Sequence, residues 1–190
     1  MNGIPRSWRW RARIDPVVFA DDLDGDVYPQ PFSGTYEEAL SVDDQYRKSG
    51  DASLKLVVPG ENSALGAYSG GVLTAVNARD LTDFNALTFY ARSSVDATLN
   101  EAGFGNDNTR TSLYTAGRAN VALTSDWTFV VIPIPDPSKL IAERGLFTFA
   151  EGDLAEVAPL PGRSVDLLVA NLPYIPSGLL PELPVAASFE

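Results

Sequence analysis

The feature that most constrains this chain is a series of short segments rich in β-branched and aromatic residues, separated by turn-forming residues. The segments are VVFA at 17–20, SLKLVV at 53–58, ALTFYAR at 86–92, VALT at 121–124, WTFVVIPI at 127–134 and LFTF at 146–149. Short strands with turns between them are typical of sandwiches and barrels. The pattern therefore predicts an all-β fold, an antiparallel β-sandwich of the jelly-roll type.

One of these segments also suggests which side chains face away from the core. In 86–92, Leu87 and Phe89 alternate with Tyr90 and Arg92. Successive side chains of a strand point to opposite faces, and an antiparallel sheet often leaves one face in solvent. Tyr90 and Arg92 are therefore candidate ligand-binding residues. The alternative is that a loop covers this face.

Helical signals are few. The stretch TYEEALS at 35–41 permits about one helical turn. The stretch PSKLIAERG at 137–145 has proline near its start and glycine at its end, the punctuation of a short helix. Helical content is therefore expected to be minor.

The chain has no cysteine and no histidine. Disulfides, thiolate and imidazole metal ligands, and Ser-His-Asp or Cys-His catalysis are therefore excluded. Glycoside hydrolysis needs only two facing carboxylates, but 25 acidic residues make some such pair unavoidable. Carboxylates alone thus do not indicate an enzyme.

Charge restricts the partners. The formal net charge is −11, which repels a phosphate backbone and argues against nucleic acid as a partner of the main body. The exception is RSWRWRAR at 6–13, which no apolar core follows, so it does not read as a secretory signal. Residues 1–14 are expected to be a disordered basic leader. Apolar runs are about one strand long, so no membrane span is expected.

The composition changes near Gly152. Residues 153–190 are rich in leucine, alanine and proline, whereas the preceding sequence has the pattern of strands and turns. The predicted division is a sandwich domain over 15–152 and an irregular proline-rich C-terminal appendage over 153–190. Alternatively, VDLLVAN at 165–171 has the length and apolar content to supply a last strand.

Five sequence segments occur in a characteristic order: VVFADDLDGDVYPQPF, YRKSGDASLKLVVPG, ARDLTDFNALTFYARSS, TLNEAGFGND and TSDWTFVVIPIPDPSKLIAERGLFTFAEG. Over about residues 17–152 the chain resembles the carbohydrate-binding jelly-roll modules, of the galactose-binding-like fold, found on bacterial secreted and surface proteins. The resemblance implies a non-catalytic, monomeric module of a larger extracellular, cell-surface or periplasmic protein, with a polysaccharide or oligosaccharide as its partner. The alternative is a structural spacer domain without a ligand.

The stretch GFGNDNTRTSLYT at 103–115 combines glycines with small polar side chains. Glu101, Gly103 and Gly105 imitate an S-adenosylmethionine loop, but neither a continuous apolar strand precedes them nor an amphipathic helix follows. We interpret the stretch as a polar connection of the jelly roll. The candidate sugar contacts in it are Asn106, Asp107, Asn108 and Tyr114, which could equally cap turns.

Modules of this kind often carry a structural calcium ion that ties the first strand to the last. The resemblance implies Asp21 and Asp22 as ligands near the end of the first strand, carbonyls from the 47–53 turn, and Asp166 in place of an aspartate on the terminal strand. Carboxylates and carbonyls are the ligands calcium prefers. The alternative is a solvated acidic turn.

A second resemblance concerns the C-terminal segment. The text GDLAE…SVDLLVANLPYIPSG is similar to the region around the asparagine-proline-proline-tyrosine motif of methyltransferases that modify a glutamine of release factors. Here the motif reads Asn171, Leu172, Pro173 and Tyr174, so its first proline is replaced. This resemblance implies an inert, truncated piece of such an enzyme as a further alternative.

Overall fold

The computed structural model describes residues 16–23, 25–60, 63–64, 68–105, 114–152, 165–170 and 172–176. Within these residues the chain forms strands and a single turn of 3-10 helix at Pro137–Lys139. The strands are β1 (Val17–Phe19), β2 (Val27–Pro31), β3 (Leu40–Asp43), β4 (Ser53–Val58), β5 (Tyr68–Arg79), β6 (Phe84–Ser93), β7 (Ala97–Phe104), β8 (Ala116–Leu123), β9 (Thr128–Pro133), β10 (Glu143–Gly152), β11 (Val165–Ala170) and β12 (Leu172–Pro176).

The strands form two antiparallel sheets. The seven-stranded sheet has the order β1-β12-β6-β11-β4-β3, and β9 pairs with the other edge of β6. The five-stranded sheet has the order β2-β5-β10-β7-β8. The predicted all-β sandwich is confirmed.

The core lies between the inner faces of the two sheets. Leu87 and Phe89 of β6 are fully buried, as the alternation predicted. The ring of Phe89 meets that of Phe147 from the other sheet edge-on, with 5.2 Å between centroids, a favourable geometry for aromatic pairs. Apolar burial across this interface is the main force that holds the sheets together.

Of the two stretches with helical signals, 35–41 forms no helix, and 137–145 forms only the single 3-10 turn at Pro137–Lys139. Between Tyr36 and Ala39 the chain makes only a turn, closed by the Ala39 N–H on the Tyr36 carbonyl at 3.0 Å, and β3 begins at Leu40. After Pro137–Lys139 the helix stops because the Leu140 side chain is fully buried and its carbonyl accepts from Leu81 N–H at 2.8 Å. In both stretches, side-chain burial and strand pairing outweighed the local sequence preference for a helix.

The segment expected to be an irregular appendage supplies two strands of the sandwich. β11 lies between β4 and β6, with Leu167 opposite Leu56 on one side and Ser93 on the other. β12 continues along β6, with Tyr174 opposite Leu87. The boundary expected at residue 152 therefore does not separate the strands, and the alternative of a late strand from 165–171 is the one observed. Residues 1–14, 153–164 and 177–190 lie outside the described residues.

A buried arginine joins the two sheets at one end. Arg79 of β5 is completely buried, and its Nη1 donates to the carbonyl of Val17 in the seven-stranded sheet at 2.5 Å. Its Nη2 lies 3.6 Å from a carboxylate oxygen of Asp26, and the buried Glu143 stands directly opposite it in the ladder. Buried charge requires such partners because desolvation is costly.

The position of β11 gives a first prediction. A chain truncated after Gly152 lacks β11 and β12, which leaves one edge of β4, one edge of β6 and the paired edge of β1 without ladder partners. We expect this fragment to show no cooperative thermal unfolding by circular dichroism, since unpaired buried backbone groups are costly. A chain ending at Pro176 keeps every described strand and is the control. A fragment that still melts cooperatively would contradict the sheet order.

Tyr174 gives a second prediction. Its ring is buried against Phe104, with centroids 6.0 Å apart, and its hydroxyl donates to the Leu146 carbonyl at 2.9 Å. Replacing Tyr174 with Phe removes this bond and should lower the free energy of unfolding by about 1–2 kcal/mol at neutral pH.

The same substitution should change the alkaline limb of stability. Burial, followed by the charge of Glu143, raises the pKa of Tyr174 well above its usual value. Above about pH 10 the unfolded chain loses the phenolic proton while the folded chain keeps it, so stability falls as pH rises. Denaturant titrations from pH 8 to 11 should show a shallower decline for Tyr174→Phe. Parallel curves would refute this assignment.

Candidate functional site

The structure places the predicted ligand-binding residues in two different regions. Tyr90 and Arg92 share the outer face of the seven-stranded sheet and are half-buried. Tyr114 instead precedes β8, packs against Phe104 with 6.3 Å between ring centroids, and lies beneath the Lys139 ammonium at 5.4 Å. The candidates at 106–108, Asn106, Asp107 and Asn108, lie outside the described residues.

The carboxylates of the acidic turn after β1 bind backbone amides. Asp21 Oδ1 accepts from Asp51 N–H at 2.6 Å and from Ala52 N–H at 3.2 Å, and Asp22 Oδ1 accepts from Leu23 N–H at 2.7 Å. Asp21 thus fastens this turn to the one that precedes β4.

Asp166 lies at the other end of β4 from this contact. It pairs with Val57, whereas Asp21 holds Ala52 just before the strand begins. Five residues of strand separate the two points by about 17 Å. The three aspartates therefore do not fit one calcium ion, and no three carboxylates of the described residues are arranged to hold a metal. A calcium ion at the Asp21–Asp22 turn stays a prediction.

The outer face of the seven-stranded sheet carries a cluster of rings and cations, which we call the cation–aromatic cluster. Its members are Tyr46, Lys48, Tyr90, Arg92, Trp127 and Phe129. The guanidinium carbon of Arg92 lies 5.1 Å from the Tyr46 ring and 6.0 Å from the Trp127 ring. The Lys48 ammonium lies 4.9 Å from the Tyr90 ring, which also packs on Phe129 at 4.9 Å. These distances suit cation–π contacts.

The β3–β4 loop brings two members of the cluster over the sheet. Asp43 Oδ1 accepts from the N–H groups of Gln45 and Tyr46 at 2.9 and 3.0 Å, and the Tyr46 carbonyl accepts from Ser53 Oγ at 2.6 Å. Tyr46 then lies over Arg92, and Lys48 lies over Tyr90. The two loop residues, Tyr46 and Lys48, are two positions apart, as are Tyr90 and Arg92 on β6. The sequence did not predict this match, because nothing in it indicates which loop crosses this face of the sheet.

The outer face of the five-stranded sheet is paved with small side chains. The ladder register places Gln30, Val72, Thr148 and Gly103 side by side across β2, β5, β10 and β7. The next row contains Gly70, Ala150 and Glu101. These rows form a floor of short side chains apart from Gln30 and Glu101, and its members Val72, Thr148 and Ala150 are buried.

Tyr68 stands at one end of this floor. Its phenol lies over Gly70, where a Cβ would overlap the hydroxyl. Burial raises the pKa of Tyr68, and the nearby negative charge of Glu101 raises it further. A half-buried ring with a carboxylate beside it therefore borders the floor.

Tyr28 stands at the other end. Arg144 Nη2 donates to the Tyr28 hydroxyl at 3.3 Å, and Arg144 Nε donates to the Ala75 carbonyl at 3.0 Å. Tyr28 is opposite Thr74, six residues along β5 from Tyr68, so the tyrosines are about 20 Å apart. We call Tyr28, Tyr68, Glu101, Arg144 and the floor between them the five-stranded face.

Sequence reading found only part of this arrangement. Tyr68 is an aromatic within the glycine-rich stretch LGAYSGG, whereas Tyr28 does not stand out because prolines interrupt β2. The face offers tyrosine rings for apolar contact, together with a guanidinium, an amide and a carboxylate for hydrogen bonds. It suits an extended ligand that presents both C–H and hydroxyl groups.

Several solved structures that this chain resembles are carbohydrate-binding modules. The chain is similar to the family 30 carbohydrate-binding module of a cellulosomal cellulase from Clostridium thermocellum, at 18% identity over 88% of this chain and 96% of that one, with a TM-score of 0.53. A second family 30 module matches at 17% identity over 83% and 95%, with a TM-score of 0.52. A variant of a family 29 module matches at 11% identity over 83% and 88%, with a TM-score of 0.50. At these identities the likeness establishes the sandwich fold.

No protein-family model and no curated protein matches the chain. The methyltransferase resemblance has no support, because β11 and β12 pair antiparallel within the sandwich and Tyr174 is buried in its core. In the described part of the chain, no helix has the length and apolar character to cross a membrane.

The environment of Tyr68 gives a third prediction. With 13C-labelled tyrosine and Tyr68→Phe to assign the signal, NMR titration should give Tyr68 a pKa above the usual value for tyrosine. Glu101→Gln should lower this pKa only partway, because burial is the larger cause and remains.

The matched control is Glu38→Gln. Glu38 raises the pKa of Tyr36 through a 2.8 Å hydrogen bond, so this variant should move Tyr36 and leave Tyr68 unchanged. If the pKa of Tyr68 has its usual value, or does not change in Glu101→Gln, the Tyr68 ring and the Glu101 carboxylate are not neighbours.

Proposed function

We propose that this chain is a non-catalytic carbohydrate-binding module that holds a polysaccharide strand along the five-stranded face. The observation that carries the proposal is the pair of tyrosines, Tyr68 and Tyr28, that bracket a floor of small side chains. Pyranose rings have C–H faces that stack on aromatic rings, and a sugar chain that contacts both tyrosines would cross this floor.

Hydrogen-bonding groups along the face suit sugar hydroxyls. Glu101 is exposed beside Tyr68, and Arg144 and Gln30 are half-exposed near Tyr28. A carboxylate accepts from hydroxyl pairs, a guanidinium donates to them, and an amide does both. Such groups fix the orientation of a ligand that the rings hold by contact area.

The comparisons support the same class of ligand. The similar structures are named carbohydrate-binding modules, and one belongs to a cellulosomal cellulase. We therefore propose that this domain serves a larger protein outside the cytoplasm as its polysaccharide-binding part.

Alanine substitutions of the two tyrosines test the proposal. Tyr68→Ala and Tyr28→Ala should each weaken binding of a soluble neutral β-glucan by about 1–3 kcal/mol in calorimetry, the range found when aromatic anchors are truncated. Tyr46→Ala is the matched control, because Tyr46 belongs to the opposite sheet. Melting temperatures of the three variants should stay close to that of the wild type.

Two results would contradict the proposal. If a glycan array of neutral polysaccharides gives no signal with the unaltered chain, the spacer alternative is favoured. If Tyr46→Ala weakens glucan binding as much as Tyr68→Ala does, the neutral site is not on the five-stranded face.

A further inference from the structure

The cation–aromatic cluster holds two positive charges without a counterion among the described residues. Lys55 pairs with Asp43 at 3.8 Å and Lys139 with Asp136 at 3.1 Å, but within the described ranges no carboxylate lies within ion-pair distance of Lys48 or Arg92. The Arg92 Nε is buried and has no hydrogen-bond partner in the part of the chain that the structure describes. This is unexpected in a chain with 25 acidic residues.

The two charges are close together on one side of the sheet. Tyr90 and Arg92 are two residues apart on β6, about 7 Å along the strand, and Lys48 lies over Tyr90. Like charges at this separation repel each other, so an anion between or beside them would be favourable. The guanidinium is also a planar donor that matches a carboxylate with two parallel hydrogen bonds.

Aromatic side chains surround these cations. Tyr46 is 53% exposed, and Trp127 and Phe129 are half-buried. Rings at the surface favour a ligand that has an apolar face next to its negative charge. A uronic acid has both, since its carboxylate is attached to a pyranose ring.

We propose that the cation–aromatic cluster is a second saccharide site, which binds uronic-acid oligosaccharides through Arg92 and Lys48. The site is separate from the five-stranded face because it lies on the outer surface of the other sheet. Tyr46 and Trp127 contact the sugar ring, and Arg92 receives the carboxylate. A long polyanion such as a nucleic acid is disfavoured by the net charge of −11, whereas a short uronate brings only a few carboxylates to the protein.

The test compares an acid with its ester. Calorimetry at low salt should show that the unaltered chain binds trigalacturonate and binds its methyl ester at least about tenfold more weakly, the loss expected for one charge-assisted hydrogen bond. Arg92→Gln should reduce trigalacturonate affinity by a similar factor. Lys48→Gln changes an exposed side chain and keeps the test valid if Arg92→Gln fails to fold. A loss of affinity in Lys48→Gln supports the proposal.

Control variants separate this site from a general charge effect and from the neutral site. Lys139→Gln also removes one cation from over a tyrosine ring and should leave trigalacturonate binding unchanged. Tyr68→Ala should weaken β-glucan binding alone, whereas Arg92→Gln should weaken trigalacturonate binding alone. Equal binding of acid and ester, equal losses in Lys139→Gln and Lys48→Gln, or binding of a single-stranded oligonucleotide as tight as that of trigalacturonate would overturn the proposal.

Discussion

The backbone pairing of β11 between β4 and β6 is the interaction on which the seven-stranded sheet depends. Leu167 stands opposite Leu56 on one side and Ser93 on the other, so a segment from late in the chain joins two strands made much earlier. The inner face of β11 also fills the core, because Leu167 and Val169 line the same small space as Phe147 and Phe149. Both the ladder and the core would be incomplete without it.

The pairing of β6 with β11 also positions the residues of the cation–aromatic cluster. Arg92 and Tyr90 lie opposite Leu168 and Ala170 of β11, and Tyr90 lies opposite Phe129 of β9 on the other edge. β6 is therefore hydrogen-bonded on both sides where the cluster stands, which fixes the two outward side chains relative to each other. The Arg79 contact to Val17 does the equivalent at the end of the sandwich, where it holds β1 against the five-stranded sheet.

The sequence predicted those strands that a single local pattern, either alternation or a short apolar run, is enough to identify. Alternation identified the buried and outward sides of β6 correctly, and the apolar content of 165–171 was sufficient to suggest a late strand. It missed β2, since Pro29 and Pro31 argue against a strand, although β2 is an edge strand where prolines are tolerated. The sequence also predicted an appendage after Gly152, because the segment that follows is rich in proline. Proline content is a local property, whereas the pairing of β11 depends on the position between β4 and β6 that it fills.

The five-stranded face was hidden from the sequence for a different physical reason. A groove needs small residues on its floor, and glycine and alanine carry no periodic signal of their own. Gly103 is required in any case, because a Cβ there would lie 2.5 Å from the Ala116 carbonyl of the neighbouring strand. The same close approach that lets β7 and β8 pair thus lowers the floor between Tyr68 and Tyr28. On the other sheet, long side chains fill the outer face and stack on one another. The two outer faces therefore differ, because short side chains line one and aromatic and cationic side chains line the other.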